Sequence, residues 1–535
     1  MKYIVLCVLL AAVFTFMAIS SALWHSGTCD EIAHHIPSGV VSIVKGDLKM
    51  DTSQPPLSRY IIAAPVVWLL KPALPDDSKE WRKEDRAEFG RDFFFKYNNN
   101  SKQILFTARM AVVFTGILAG LLIFTWTKQL YGLSAAGFAL FLYCFSPDMI
   151  AHSGLATTDI INMLFVFLSC YTVWFFMCEP NMLNLFLAGI SLGLAELSKY
   201  SAIMLYFIFL ALFFIAIKKN QQSARGMFWK ILIIFALSVI VAWAGYGFSI
   251  EPLLKNAMRS DEKLQLLTAM AHRPLPFLIN FPIPLGEYIL GILGIANHGH
   301  AGHMTYFLGK WSQQGSPLYF LTAFLIKTPI PVLLFLISGL VISLRKKFSI
   351  NEYFIFMPLL VCFIFASISN LQIGIRHLFP IYPFCFIIAG QAVYLWRYKI
   401  AKIALPVICA WYLLIAFDAW PNYLSYFNEF AGGPDNGWKY LRDSNIDWGQ
   451  DLPALSEYMA KNNVKEISLE YFGEDAPHVY NINFRKLSSS EYDMPQQRMY
   501  AVSAQYLEHV KWSQNHQPVA KAGKSIFIYD FKDKK

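Results

Sequence analysis

A chain of 535 residues that is 56% hydrophobic and 16% aromatic but only 15% charged falls well short of the roughly 25% charged residues of a soluble globular protein, which excludes an ordinary soluble enzyme. The net charge of +9 is concentrated in short loops between apolar runs, where basic residues set orientation and meet anionic lipid, so nucleic-acid binding is excluded as well. Eight scattered cysteines form no CxxC pair and no metal-ligand spacing.

A crossing needs about 20 apolar residues, and eleven spanning helices are predicted, at 2–23, 104–126, 132–149, 158–178, 183–198, 200–217, 229–249, 318–342, 352–368, 376–396 and 402–419. The first resembles a secretory signal, with Lys2 ahead of an apolar run and Ala18-Ile19-Ser20 as a cleavage-like site, yet it is long enough to span. The outer loop 24–103 is too long for a mere connection. Its stretch 76–102 mixes both charge signs with Trp81, Phe89, Phe93, Phe94 and Phe95, which predicts interfacial helices in the headgroup layer. The second outer loop, 250–317, holds Pro274, Pro276, Pro282 and Pro284 ahead of a Gly- and His-rich run and suits a lid or substrate channel.

Lys218, Lys219, Arg225 and Lys230, then Arg345, Lys346 and Lys347, then Arg397, Lys399 and Lys402 fall on one side of this arrangement, and that side is read as the cytoplasm. The expectation is a multi-pass protein of a bacterial inner membrane with both long loops and the tail facing the periplasm or exterior. Residues 1–419 form the membrane domain. Residues 420–535 form a small extracytoplasmic α/β domain, with strands predicted at 466–471, 499–503 and 525–529.

Asp30 and Glu31 follow the first span directly, and acids at that depth must be paired, face a wet cavity or carry function. Asp159, at the outer start of the fourth span, places a second carboxylate on the same face. The plain structural alternative is a helix-start role, which the dipole favours for Asp159 and opposes for Asp30. Lys199, Arg376 and His377 at outer helix ends, Lys327 inside the eighth span and Arg59 after the Gln54-Pro55-Pro56-Leu57 turn are candidates for a lipid phosphate, with interface anchoring as the alternative. His298, His300 and His303, with the more distant His272, make a candidate divalent-metal set with Asp30, Glu31, His34 or His35, although solvated loop histidines are the commoner case. No other cofactor is expected. Acids to accept a proton, cations to stabilise a phosphate and hydrocarbon to admit an isoprenoid chain meet the needs of a transferase using a lipid-phosphate-linked sugar.

The order of Asp30-Glu31, Gln54-Pro55-Pro56-Leu57, Ala156-Thr157-Thr158-Asp159, the run from Gly302 to Gly309, Lys327-Thr328-Pro329, Arg376-His377-Leu378-Phe379-Pro380 and Tyr426-Phe427-Asn428-Glu429 resembles the polyprenyl-phosphate-dependent glycosyltransferases of the GT-C fold. The resemblance is to the protein O-mannosyltransferases (glycosyltransferase family 39) and the lipid A aminoarabinose transferases. Asp443-Ser444-Asn445-Ile446-Asp447-Trp448-Gly449-Gln450-Asp451 looks like the run in bacterial members with a soluble C-terminal domain. The resemblance implies a hexosyl or pentosyl transfer with inversion to a hydroxyl on a protein, lipid or glycan. Asp30 would be the base, and Glu31 and Asp159 would position substrates or metal. Arg376, Lys199 and Arg59 would hold the departing lipid phosphate. Gln54 stands where the family commonly carries histidine. A proton- or cation-coupled transporter is the rival reading, but it predicts repeated halves and acids at mid-membrane, and neither is visible.

Overall fold

Eight helices among the described residues are long and apolar enough to cross a membrane, or ten if each of two bent pairs counts as one span. The computed structural model describes residues 2–75, 81, 85–220, 224–254 and 280–532. The expectations resting on His272, Pro274 and Pro276, and on parts of 76–102, lie outside those residues.

The helix α1 (Lys2–Trp24) is followed by α2 (Ile36–Lys45), α3 (Pro56–Leu70) and α4 (Arg86–Asp92) of the first long loop. Phe89, Phe93 and Phe94 of that loop turn inward and are fully buried, which differs from the expected headgroup layer. Gly90 allows the approach, since a Cβ there would meet the Ile32 carbonyl. Then come α5 (Ser101–Tyr131), α6 (Leu133–Cys144), α7 (Pro147–Ser153), α8 (Asp159–Cys178), α9 (Met182–Ser198), α10 (Met204–Asn220) and α11 (Ala224–Gly245). Two short strands, β1 (Ile250–Pro252) and β2 (Pro282–Pro284), pair ahead of α12 (Gly286–Ala301), and β3 (Thr305–Phe307) pairs with β4 (Lys310–Ser312). The bundle closes with α13 (Tyr319–Lys327), α14 (Ile330–Leu344), α15 (Ile350–Ile368), α16 (Tyr382–Gly390) between two 3₁₀ turns, and α17 (Ala401–Asp418).

Each of the eleven expected spans has a helical counterpart, but three depart from a straight crossing. The α9 helix has 17 residues and is short. The pair α6–α7 bends by 64° and the pair α13–α14 by 110°. Proline explains both bends, because Pro147 and Pro329 cannot donate to the preceding turn and push the residue before them out of helical conformation. The sharper bend exposes carbonyls at the end of α13, and the tail covers them. The Asn428 side chain donates to Leu325 O at 2.6 Å and Thr328 O at 2.8 Å, and its backbone N–H donates to Ile326 O at 2.8 Å. The Tyr426-Phe427-Asn428-Glu429 run therefore works as a cap supplied from about a hundred residues away.

The tail builds a five-stranded mixed sheet in the order β6-β5-β7-β9-β8, from β5 (Ile467–Glu470), β6 (Phe484–Lys486), β7 (Met499–Ser503), β8 (Ala520–Ala522) and β9 (Ile526–Asp530). All three predicted strands are present. Alternation sends Met499, Ala501, Ile526 and Ile528 toward α18 (Leu452–Lys461), while Tyr500, Val502, Phe527 and Tyr529 join the large core shared with the membrane helices. A sheet buried on both faces docks the tail onto the bundle through apolar packing.

Candidate functional site

Beyond α1 the chain turns through Ser26-Gly27-Thr28 and enters a π-helical turn, Glu31–His35, with Asp30 at its head. Such widened turns re-aim side chains and recur at functional sites. Here the turn separates two adjacent acids completely. Glu31 is fully buried and receives Arg109 from α5 through two bonds, of 2.8 and 2.7 Å, together with the Thr28 and Ala156 backbone N–H groups at 2.8 and 2.7 Å. Arg109 also donates to Ala22 O, His25 O and Ser26 O at 2.6, 3.0 and 2.7 Å, which caps the carbonyl end of α1. Burial alone would raise the Glu31 carboxyl, but Arg109 and the two N–H groups hold it below the ordinary value.

Asp30 keeps 23% of its side chain exposed, and its Oδ2 accepts from Arg376 at 2.9 Å. The same guanidinium lies 3.8 Å from Asp159, whose other oxygen takes Lys199 at 2.8 Å. Two carboxylates and two cations from four separate elements thus form one chain of contacts. Burial pushes the Asp30 carboxyl upward, but Arg376, His34 and His35 together bring it below the usual carboxylate range. No backbone N–H is capped by the Asp30 side chain, so the helix-start alternative does not describe it. Several buried polar atoms at this cluster have no hydrogen-bond partner among the described residues: Arg376 Nε, His377 Nε2, Asp159 Oδ2 and both ring nitrogens of His152. Asp159 Oδ2 can only accept, but Arg376 Nε is a fixed donor and each imidazole carries at least one N–H, and unsatisfied buried donors beside cations suit an anionic group such as a phosphate.

Arg376 is fixed from the tail. Its Cζ lies 4.1 Å from the centre of the Trp448 ring, a cation–π contact. The N–H of Ile375 donates to Asn445 Oδ1 at 2.9 Å. Gly374 has φ +143°, and a Cβ there would collide with Ser444 Oγ, so only glycine allows the arginine segment and the tail to approach this closely. On the other flank, Cys29 N–H donates to Trp448 O at 3.0 Å and Ser26 N–H to Gln450 O at 3.1 Å. The run from Asp443 to Asp451 is therefore wedged between the acid-bearing and arginine-bearing segments.

Of the expected basic residues, Lys199 and Arg376 meet the acids and His377 adjoins Arg376 in the same 3₁₀ turn. Arg59 does not join them. It is buried beside Asp51, at 3.8 Å, and donates to Gln54 O at 3.1 Å, because α3 carries it to a separate cluster with Arg86. Lys327 is likewise committed elsewhere, donating to Leu424 O and Asn445 O at 2.7 Å each, with Asp148 at 3.7 Å. The bend at Pro329 turns this lysine into the protein, where it anchors the tail. Among the loop histidines, His298 and His303 approach to 3.3 Å, and His300 adds no third ligand to them. No group of three His, Cys, Asp or Glu among the described residues is disposed to hold a metal ion.

A cavity of about 580 Å³ opens between the bundle and the tail, lined by Asp30, Arg376, Asp443, Trp448 and Glu508 among others. Its volume lies in the range of small-molecule sites, roughly 300–1,000 Å³. Sequence reasoning missed Arg109, Asp443, Trp448 and Glu508 as parts of this arrangement. Arg109 carried a signal, an arginine inside an otherwise apolar span.

Residues 98–246 match the family model described as dolichyl-phosphate-mannose-protein mannosyltransferase, a stretch that includes Arg109, Asp159 and Lys199. No curated protein sequence matches the chain. Among solved structures, ArnT from Cupriavidus metallidurans bound to undecaprenyl phosphate aligns over 98% of this chain and 97% of its own, at 11% identity and a TM-score of 0.51. The Archaeoglobus fulgidus oligosaccharyltransferase tethered with an acceptor peptide aligns over 97% of this chain and 72% of its own, at 13% identity and a TM-score of 0.49. The S. cerevisiae protein O-mannosyltransferase Pmt1-Pmt2 complex bound to the sugar donor aligns over 46% of this chain and 33% of its own, at 18% identity and a TM-score of 0.35. Membrane helices and tail together thus have the GT-C fold of the membrane glycosyltransferases.

Proposed function

We propose that this chain is a polyprenyl-phosphate-sugar-dependent glycosyltransferase that moves a hexosyl or pentosyl group to a hydroxyl acceptor on the extracytoplasmic face, with inversion and with Asp30 as the base. The observation that carries this reading is the cluster Asp30–Arg376–Asp159–Lys199, open to a cavity at Asp30 and carrying unpartnered buried donors beside its cations.

In the proposed step the acceptor oxygen attacks the anomeric carbon and its proton passes to Asp30. The bond from that carbon to the lipid phosphate oxygen breaks, and the electron pair stays on the phosphate. A carboxylate held below its usual range is a weak base, so proton transfer must accompany bond formation. Protonation also removes the charge that Arg376 was facing. The negative charge lost at Asp30 appears on the phosphate, and the guanidinium is then available to the leaving group. Lys199 would share that role, with Asp159 holding both cations in place.

The test is to incubate purified protein with labelled polyprenyl-phosphate sugars and a range of hydroxyl acceptors. Transfer from at least one donor, lost in Asp30→Asn, is the expected result. Turnover of no donor in the panel, by transfer or by hydrolysis, counts against the reading. Orientation is read separately from a tag after Lys535, expected to be accessible from outside the membrane because the basic loops belong to the opposite end of the bundle.

A further inference from the structure

Aromatic rings follow one another along the tail side of the cavity. Trp311 lies 6.4 Å from His509, His509 lies 5.7 Å from Tyr506, and Tyr506 lies 6.0 Å from Phe472, centre to centre. All four residues line the same space as Asp30. The ladder is held rigidly at one end, where Trp311 Nε1 donates to Glu508 at 2.9 Å and Arg442 donates to the same carboxylate at 2.6 Å while packing 3.9 Å from the centre of the Tyr306 ring. Asp443 lines the cavity with a left-handed backbone, φ +57°, which aspartate tolerates better than most non-glycine residues. Gln505 fixes it by accepting the Asp443 N–H at 3.0 Å.

We propose that this wall is the acceptor subsite of the transferase and that its occupant is a neutral pyranose, a sugar unit of a glycan. The proposal rests on the transferase reading above and adds to it the acceptor class. Rings supply flat apolar surfaces for the C–H faces of a pyranose, and Asp443 supplies carboxylate oxygens for its hydroxyl groups. Among the described lining residues the one arginine, Arg376, already faces Asp30, and Glu508 is bonded to Arg442, so this wall offers no cation free of a carboxylate to pair with an anionic acceptor. A peptide would be expected to use a free strand edge. The edges of the sheet, β6 and β8, do not contribute to this cavity.

The test uses the full-length protein in lipid nanodiscs with neutral p-nitrophenyl pyranosides, their phosphorylated counterparts and a peptide containing Ser and Thr. Binding is followed by saturation-transfer NMR, which needs no donor. Neutral pyranosides should bind, Tyr506→Leu should weaken them by about tenfold or more, and Tyr506→Phe should retain them. Thermal unfolding of each variant monitors the fold, and Phe472→Leu gives a second break in the ladder should Tyr506→Leu not fold. Absence of neutral pyranoside binding, preference for the peptide or the phosphorylated sugars, or equal affinity with and without the ring would overturn the proposal. Pyranoside binding by a chain that turns over no polyprenyl-phosphate sugar would instead remove the transferase reading and leave the sugar subsite standing.

Discussion

Asp30 and Glu31 are neighbours in the chain and opposites in the structure. Glu31 has no exposure, and its two oxygens are occupied by a guanidinium and by backbone N–H groups. Asp30 shares one arginine with a second acid and borders a cavity. Two carboxylates of similar intrinsic acidity are thus divided between holding the chain together and facing a cavity. The division is made by one π-helical turn and by which arginine reaches which acid. It follows that substitutions at the two acids should fail in different ways.

The largest effect is expected at Asp30. Asp30→Asn keeps volume and removes the proposed proton acceptor, so transfer should fall by about 10²–10⁴-fold with little change in thermal stability. Asp159→Asn should fall less. Near-normal turnover by Asp30→Asn in reconstituted vesicles would erase the contrast on the catalytic side.

On the other side of the comparison, Arg109→Met leaves Glu31 buried without its counter-ion, at a cost of about 3–5 kcal/mol. The readout is loss of folded, detergent-extractable protein. The double variant Glu31→Gln/Arg109→Met should recover part of the loss, because no uncompensated charge remains. A stable Arg109→Met protein with normal yield would show that Glu31 is less dependent on this pair than its bonds indicate.

Smaller effects are expected at the cations. Arg376→Ala and Lys199→Ala each remove a charge-assisted contact of about 1.5–3 kcal/mol, roughly tenfold or more in donor use. Donor concentration dependence measured beside thermal stability separates phosphate binding from simple anchoring, since anchoring would lower stability and leave the kinetics of the surviving protein unchanged.

The smallest effect concerns Asp443, whose carboxyl is pushed up to about 6 by burial, with Arg376 acting in the opposite direction. A carboxyl raised above its unfolded value of about 3.9 favours the folded chain only while protonated. That contribution is present below about pH 4 and is lost as pH rises through about 6. Asp443→Asn should therefore raise the melting temperature by a few degrees near pH 8 and leave it unchanged near pH 4. An equal shift at both values would mean that charge is not the cause.

The parts of this molecule legible in the sequence were those written locally. Apolar runs located the helices, alternation located β5, β7 and β9, and acids or bases at helix ends picked out Asp30, Asp159, Lys199 and Arg376. The same local logic did not foresee that Lys327 and Arg59 lie apart from these acids, since position along the chain does not tell where a bend at Pro329 or a loop helix such as α3 will point a side chain. Trp448, Asp443 and Glu508 were beyond reach because their places depend on a tail docking against loops hundreds of residues earlier. Arg109 was readable in principle, for an arginine inside a span requires a partner, but its partner Glu31 lies 78 residues earlier and is identified only by the fold.

The wedge formed by the Asp443 to Asp451 run has a consequence for how the protein is made. Ser26 and Cys29 hydrogen-bond to residues more than 400 positions downstream. At roughly 5–20 residues per second, about 20–80 s of synthesis separates the two halves of that contact. During this interval the first outer loop lacks the surface that backs Asp30, and Arg376, once made, lacks the ring beneath it. The cluster of Asp30, Arg376, Asp159 and Lys199 therefore reaches its described arrangement only after the Asp443 to Asp451 run has been made and has docked.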